Sequence, residues 1–400
     1  FLDASNAPAF DRARFEGRME KPLSRATFLS LAGVLAFLVL TLLIRTWNLQ
    51  ISNGATFAIE SAHNSLEVRT LFAQRGIITD VFGVVVAENI EREDGSVRRN
   101  YPVPSLAHII GYVSYPKKDA KGVYYDTIQT GLAGLEAEYD TILAGKNGQL
   151  LTEMDALGKV RSEGTMIPAE AGETVRLSID ADLEKFFAKS IASVVSNKHF
   201  ISGSGVILDI RTGAVRAIVS YPSYDPNVMA TGGPSEIIAG YSLDPGRPFI
   251  DHAVQGVYAP GSIVKPLVAS GALTDGVITP ETVINDPGFL SVPDPYHPGK
   301  SFIFKGWKEL GPMTVRTAIA WSSDIFFYAV GGGFGNQKGL GIDRLAYWYQ
   351  QFGLGNFTGI DVPGEAAGLI PTPAWKRATF NEPWYLGDTY FTSIGQYSVQ

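Results

Sequence analysis

Residues 26–44 read ATFLSLAGVLAFLVLTLLI, nineteen residues without a charge. That run restricts the possible folds more than any other stretch. About 20 apolar residues in a helix cover the hydrocarbon core of a bilayer. A buried core helix rarely stays apolar on every face for that length. A cleaved signal peptide needs a small-residue cleavage site, which the following RTWNLQI does not resemble. The run predicts one transmembrane helix, 26–46. Arg12, Arg14, Arg18, Lys21 and Arg25 precede it, and after Arg45 no Lys or Arg occurs before Arg69. The positive-inside rule makes residues 1–25 a cytoplasmic tail and puts everything after residue 46 outside, with Trp47 as an interfacial anchor.

The 400 residues are 45% hydrophobic, enough for two or three folded units beyond the membrane. A formal net charge of −7 argues against a nucleic-acid partner. The absence of cysteine excludes disulfides, zinc–thiolate sites and thiol catalysis.

Residues 47–172 read as one elongated extracytoplasmic module. Within it, RGIITDVFGVVVAENI (75–90) predicts a hairpin turning at Asp80–Gly83. GLAGLEAEYDTILAG (131–145) has helical spacing at Leu135, Tyr139 and Leu143, and 150–163 reads as strand, turn and strand. A second unit, 173–400, opens with a strand at Thr174–Ile179. Asp180 follows as N-cap to a helix whose stripe of Leu183, Phe186, Phe187, Ile191 and Val194 is expected to be core. GSGVILDIRTGAVRAIVSY (203–221) predicts a β-hairpin turning at Arg211–Gly213. Strand, helix, hairpin and then helices give an α+β domain, helices packed on an antiparallel sheet.

VYAPGSIVKPLVASGAL (257–273) carries the chemistry. Pro260 and Gly261 end a loop, and Ser262 starts a helix with Ile263, Val264, Leu267, Val268 and Leu273 expected to be buried around it. Lys265, three residues on, shares the face of Ser262. A serine hydroxyl attacks well only when a base removes its proton. A lysine is such a base when burial and the helix dipole lower its pKa. The same helix start offers N–H groups to an oxyanion. S-x-x-K alone also fits an N-cap serine followed by a solvated lysine. TVRTAIAWSSDIFFYAVG (314–331) adds a second triplet, Ser322-Ser323-Asp324, between two helices, and that pairing belongs to serine acyl transferases. A capping role for the second triplet is the alternative.

With these motifs the chain resembles class B penicillin-binding proteins of the elongation type, the penicillin-binding protein 2 group. The resemblance is carried by RGIITD (75–80), YPVPSLAHIIGYV (101–113), GLAGLEAEYD (131–140), DALGKV (155–160), LDIRTGAVRAIVSYPSYDPN (208–227), APGSIVKP (259–266), GIDVPGEAAGLIPTPAWK (359–376), EPWYLGDT (382–389) and SIGQ (393–396). It implies a membrane-anchored α+β protein with a pedestal (dimerisation-like) module and a transpeptidase domain of the penicillin-binding, β-lactamase-like fold. Its implied activity is D,D-transpeptidation, cross-linking peptidoglycan stem peptides during elongation at the inner membrane. Ser262 would attack the D-Ala-D-Ala bond, Lys265 act as base and Ser322 relay a proton toward the leaving group, with Ser322 and Asp324 also binding substrate. β-Lactams would acylate the same serine. The implied partners are a RodA-type SEDS glycosyltransferase and other elongasome proteins; no cofactor is expected.

The sequence departs from the family in two places. No K-T-G or K-S-G follows residue 324, so the C-terminal part of the domain is expected to lie outside this sequence. The lysine it would bring is expected to pair with Asp324 and leave Lys265 neutral. Also, VVVAENI (84–90) passes to RRNYPVPS (98–105) through only 91–97, so either the module is minimal there or a longer loop is missing. Some relatives bind zinc near the site through Asp, His and Cys. Here Asp294 and His297 remain, but Trp307 stands near the expected cysteine, and no metal is predicted. A β-lactam sensor and a non-catalytic scaffold are the rival functions. The single anchor with its RGIITD module speaks against the first, and Ser262 with Lys265 against the second.

Overall fold

The computed structural model describes residues 25–55, 66–91, 97–120, 124–154, 160–294 and 297–400. Residues 1–24 and the short connection at 92–96 lie outside the described residues, as does most of DALGKV.

The chain divides into two compact units, 1–71 with 149–168, and 72–148 with 169–400. The first holds the apolar helix Arg25–Trp47, continued by a π-turn over Asn48–Ser52. This helix is long and apolar enough to cross a membrane, and it is exposed throughout. The same unit contains a three-stranded sheet of Leu66–Leu71, Gly148–Met154 and Val160–Ile167 with the second strand central. The expected strand, turn and strand at 150–163 is thus an antiparallel pair.

The second unit begins with a four-stranded sheet in the order Val97–Asn100, Val85–Glu91, Ile78–Thr79, Val175–Arg176. The hairpin expected at 75–90 is present, and Asp80 Oδ1 closes its turn by accepting from the N–H groups of Phe82 and Val84. The strand expected at Thr174–Ile179 shrinks to Val175–Arg176, which pairs in parallel with Ile78–Thr79. The helix expected over 131–145 is broken at Tyr139 into Gly134–Glu138 and Asp140–Leu143. The break lets Tyr139 turn its hydroxyl to Asp361 Oδ2 at 2.5 Å.

The motifs of this region meet in a buried ion cluster. Glu136 accepts from Arg75 Nε at 2.5 Å and from Arg99 Nε at 2.7 Å, and all three side chains are at most 1% exposed. Arg75 also pairs with Asp140 at 2.8 Å, and Arg99 donates to Asn89 Oδ1 at 3.0 Å. Buried charge survives only with such pairing. Around it, Ile78, Val86, Tyr101, Leu106, Ile109, Ile110, Leu135 and Leu143 form one apolar cluster.

Asp180 caps helix Ala181–Lys198, accepting from the N–H groups of Asp182 and Leu183. The helix packs on the hairpin Gly203–Leu208/Val215–Tyr221, whose turn uses Gly213 at φ +74°. The expected core stripe of this helix is corrected in part: Leu183, Phe187 and Ile191 are half-buried, but Phe186 and Val194 are 70% and 54% exposed, whereas Ala181, Glu184 and Val195 are buried. Helical spacing marks an apolar stripe but does not say how much of it a neighbour covers. A second core gathers Val264, Val268, Ala269, Ala272, Ile325, Phe326, Phe327, Leu345, Tyr349, Tyr390 and Ile394. The helices that carry the acyl-transfer motifs enclose this core.

Candidate active site

The aromatic helix Asp324–Gly332 is the central post of the site. Seven of its nine residues, Ile325 to Gly331, are buried. Helix Lys265–Thr274 packs against it, as does Leu386–Ser393, where Ser393 Oγ donates to Phe327 O at 2.9 Å.

Ser262 lies in a 3₁₀ turn, Gly261–Val264, that runs into helix Lys265–Thr274. In such a turn residues i and i+3 eclipse, and Lys265 N–H donates to Ser262 O. The burial expected around the serine is half right: Val264 and Val268 are buried, but Ile263 is 74% exposed and Leu273 is also open. Ser262 itself is exposed. Its turn is held from behind by the SIGQ segment, with Gly261 N–H donating to Gly395 O at 2.8 Å.

Lys265 is 1% exposed. Its ammonium donates to Ser322 O at 2.8 Å, Ser322 Oγ at 3.1 Å and Asp324 Oδ1 at 2.6 Å. Three acceptors match the three hydrogens of an ammonium. Burial nevertheless pushes the Lys265 pKa below the usual lysine range, against the opposing pull of Asp324 and the more distant Asp286. Three of the four residues singled out in the sequence therefore share one ammonium. Ser262 stands a turn away, and among the described residues its hydroxyl has no hydrogen bond to the lysine. Asp324 pairs with Lys265.

The capping reading of the second triplet is present at its middle residue. Ser323 Oγ accepts from Phe326 N–H at 3.0 Å and caps helix Asp324–Gly332. Ser322 and Asp324, on either side of the cap, turn to Lys265. Ser322 pays for this with φ +53°, a left-handed conformation that costs a residue with a Cβ about 1–2 kcal/mol. The sequence reading missed Asp286. It is 1% exposed and accepts from Ser323 Oγ at 2.5 Å and from Gly288 N–H at 2.8 Å. The D-P-G turn at 286–288 was the available signal, but turn residues alone do not say which side chain they meet. Away from this cluster, His297 Nδ1 hydrogen-bonds Asp294 Oδ2 at 2.8 Å. Trp307 Nε1 donates to Trp321 O at 3.1 Å.

Residues 203–399 match the penicillin-binding protein transpeptidase domain family, and residues 93–177 the penicillin-binding protein dimerisation domain family. The peptidoglycan D,D-transpeptidase MrdA of Escherichia coli K12 is 37% identical over 76% of this chain. The chain spans about half, 47%, of that relative's length. MrdA of Haemophilus influenzae is 30% identical over 98% of this chain and 70% of its own. A solved structure described as the structural coordination of polymerization and crosslinking by a peptidoglycan synthase complex shares 29% identity. It has a TM-score of 0.68 and covers 93% of this chain and 74% of its own. The buried lysine and both triplets lie within the matched transpeptidase span, and the chain, 30% identical to a relative of which it covers 70%, is a member of the MrdA, or penicillin-binding protein 2, family of class B peptidoglycan D,D-transpeptidases.

Proposed function

We propose that the protein cross-links peptidoglycan as a serine D,D-transpeptidase, with Ser262 as nucleophile and Lys265 as its base. The carrying observation is the lysine: buried, lowered in pKa, and hydrogen-bonded to the hydroxyl of Ser322. Neutral Lys265 has two hydrogens and a lone pair, so one of its three present partners must become a donor. Ser322 Oγ can do so, whereas a carbonyl and a carboxylate only accept. Ser262 Oγ attacks the carbonyl carbon of the penultimate D-Ala while its proton passes to Lys265 Nζ. The amide bond breaks, and the proton reaches the leaving D-Ala nitrogen through Ser322. An amine of a second stem peptide then attacks the ester, gives up a proton through the same groups and releases Ser262. Asp324 holds the lysine in place and lends the ammonium a counter-charge between these steps. β-Lactams enter by the first step and remain on Ser262.

The basic residues before the apolar helix support a single-pass anchor in the inner membrane with a cytoplasmic N-terminus. In this reading residues 47–172 form a pedestal and 173–400 the transpeptidase domain. The related synthase complex joins polymerization to crosslinking, which supports a polymerising partner; the resemblance to the elongation type makes that partner a RodA-type glycosyltransferase within an assembly of elongation proteins. Labelling of the full-length protein with a fluorescent penicillin tests the central assignment. Label should appear in the parent and vanish in Ser262→Ala and Lys265→Ala; covalent label retained in Ser262→Ala rejects the nucleophile.

A further inference from the structure

The second triplet poses a mechanical question. Ser322 takes a conformation unfavourable for serine, yet both its carbonyl and its hydroxyl must face one ammonium. Its neighbour Ser323 is wholly buried and bonded on two sides, accepting from Phe326 N–H and donating to Asp286 Oδ2. Asp286 is itself fixed. It ends strand Ile284–Asp286, which pairs with Gly311–Met313. Its backbone carbonyl accepts from Leu310 N–H, and its other carboxylate oxygen from Gly288 N–H. The chain Gly288–Asp286–Ser323–Phe326 therefore ties the turn before helix Asp324–Gly332 to a strand outside it.

We propose that Asp286 is a positioning residue for the transpeptidation site: through Ser323 it locks the second triplet in the turn that aims Ser322 and Asp324 at Lys265. The inference rests on the acyl-enzyme reading above and deepens it. A helix cap needs only the bond to Phe326 N–H; the additional bond to a buried carboxylate is what a precise triplet needs. Geometry and charge act together here. The charged and titratable groups around the Lys265 ammonium are Asp324 in contact and Asp286 farther off, and both favour its charged form. The ring of Phe327, 5.7 Å away, adds no titrating charge.

The test uses the full-length protein and a fluorescent penicillin across pH, with Ser323→Ala, Ser323→Thr and Asp286→Asn. If the triplet loosens, Asp324 no longer holds the ammonium. The plateau acylation rate of Ser323→Ala should then fall about tenfold, and its acid limb should move to lower pH. Ser323→Thr keeps the hydroxyl and should keep both rate and limb. Asp286→Asn should move the limb to lower pH, and its rate effect combined with Ser323→Ala should be less than multiplicative because the two act in one chain. Ser323→Ala also weakens a helix cap. A lower melting temperature with an unmoved limb and an unchanged plateau rate would mark a purely structural role and overturn the proposal, as would multiplicative effects. Titration of the Lys265 amine by ¹⁵N NMR in parent and Ser323→Ala needs no turnover. It decides the positioning claim even if Ser262→Ala shows the nucleophile to lie elsewhere: a shift to lower pH supports it, and coincident curves reject it.

Discussion

Gly395→Ala places a methyl group where the nucleophile turn already stands. Gly395 has φ +69° and faces Gly261, itself at φ +63°, across the hydrogen bond from Gly261 N–H to Gly395 O. A Cβ on residue 395 would lie 2.3 Å from Gly261 O, 2.9 Å from its N and 3.0 Å from its C. Ordinary contact for such atoms is about 3.5 Å, so the backbone next to Ser262 must withdraw by about 1 Å. A displacement of that size away from the reacting atoms costs about 100-fold in rate, equivalent to about 2.7 kcal/mol of barrier. The left-handed backbone adds about 1–2 kcal/mol of native-state strain for alanine. Penicillin acylation, measured as a second-order rate constant on the full-length enzyme, should therefore fall about 100-fold by this displacement. Circular dichroism should show the variant still folded. A Gly395→Ala enzyme that acylates within about threefold of the parent, a barrier change of under 1 kcal/mol, would show that the turn is not braced from this side.

Three further outcomes are expected. Glu136→Ala leaves Arg99 and Arg75 buried around a missing carboxylate and should destabilise the protein by about 3–5 kcal/mol in denaturant unfolding; Arg75 keeps Asp140, so most of the cost should trace to Arg99 and shrink when Arg99 is replaced by methionine as well. Asp324→Asn removes the carboxylate that favours charged Lys265, so the acid limb of the acylation profile should shift to lower pH; a coincident or upward-shifted profile would mean the two groups are not electrostatically coupled. Burial pushes the carboxyl of Glu184 from 4.5 up to about 8, and one of its oxygens accepts from Ile218 N–H at 2.8 Å. A raised pKa means the folded state holds a proton that the unfolded state has released, so stability should be full below pH 4.5 and decline as pH rises to about 8; Glu184→Gln should flatten that decline in melting curves taken across the range.

How much could be read without coordinates follows from how local each signal is. The uncharged run at 26–44 identified a spanning-length helix because hydrophobic length is a property of the segment alone. Asp180 as a cap and Gly213 in a hairpin were legible for the same reason, since both depend on neighbours a few residues away. Ser262 and Lys265 could be paired because one helical turn separates them, and Ser322 and Asp324 joined them through a motif. What each carboxylate would face was not legible. Asp324 meets Lys265, 59 residues earlier in the chain. Asp286 meets Ser323 across 37 residues, and Gly395 meets Gly261 across a still longer stretch of chain. The stripe of helix Ala181–Lys198 announced a buried face, yet Phe186 is exposed while the ionisable Glu184 is fully buried. Local sequence determined which groups could do chemistry and which backbone turns were permitted. Tertiary packing alone decided how far each group is desolvated and which charge lies beside it, because burial and Coulomb energy depend on distance in space, which sequence separation does not encode.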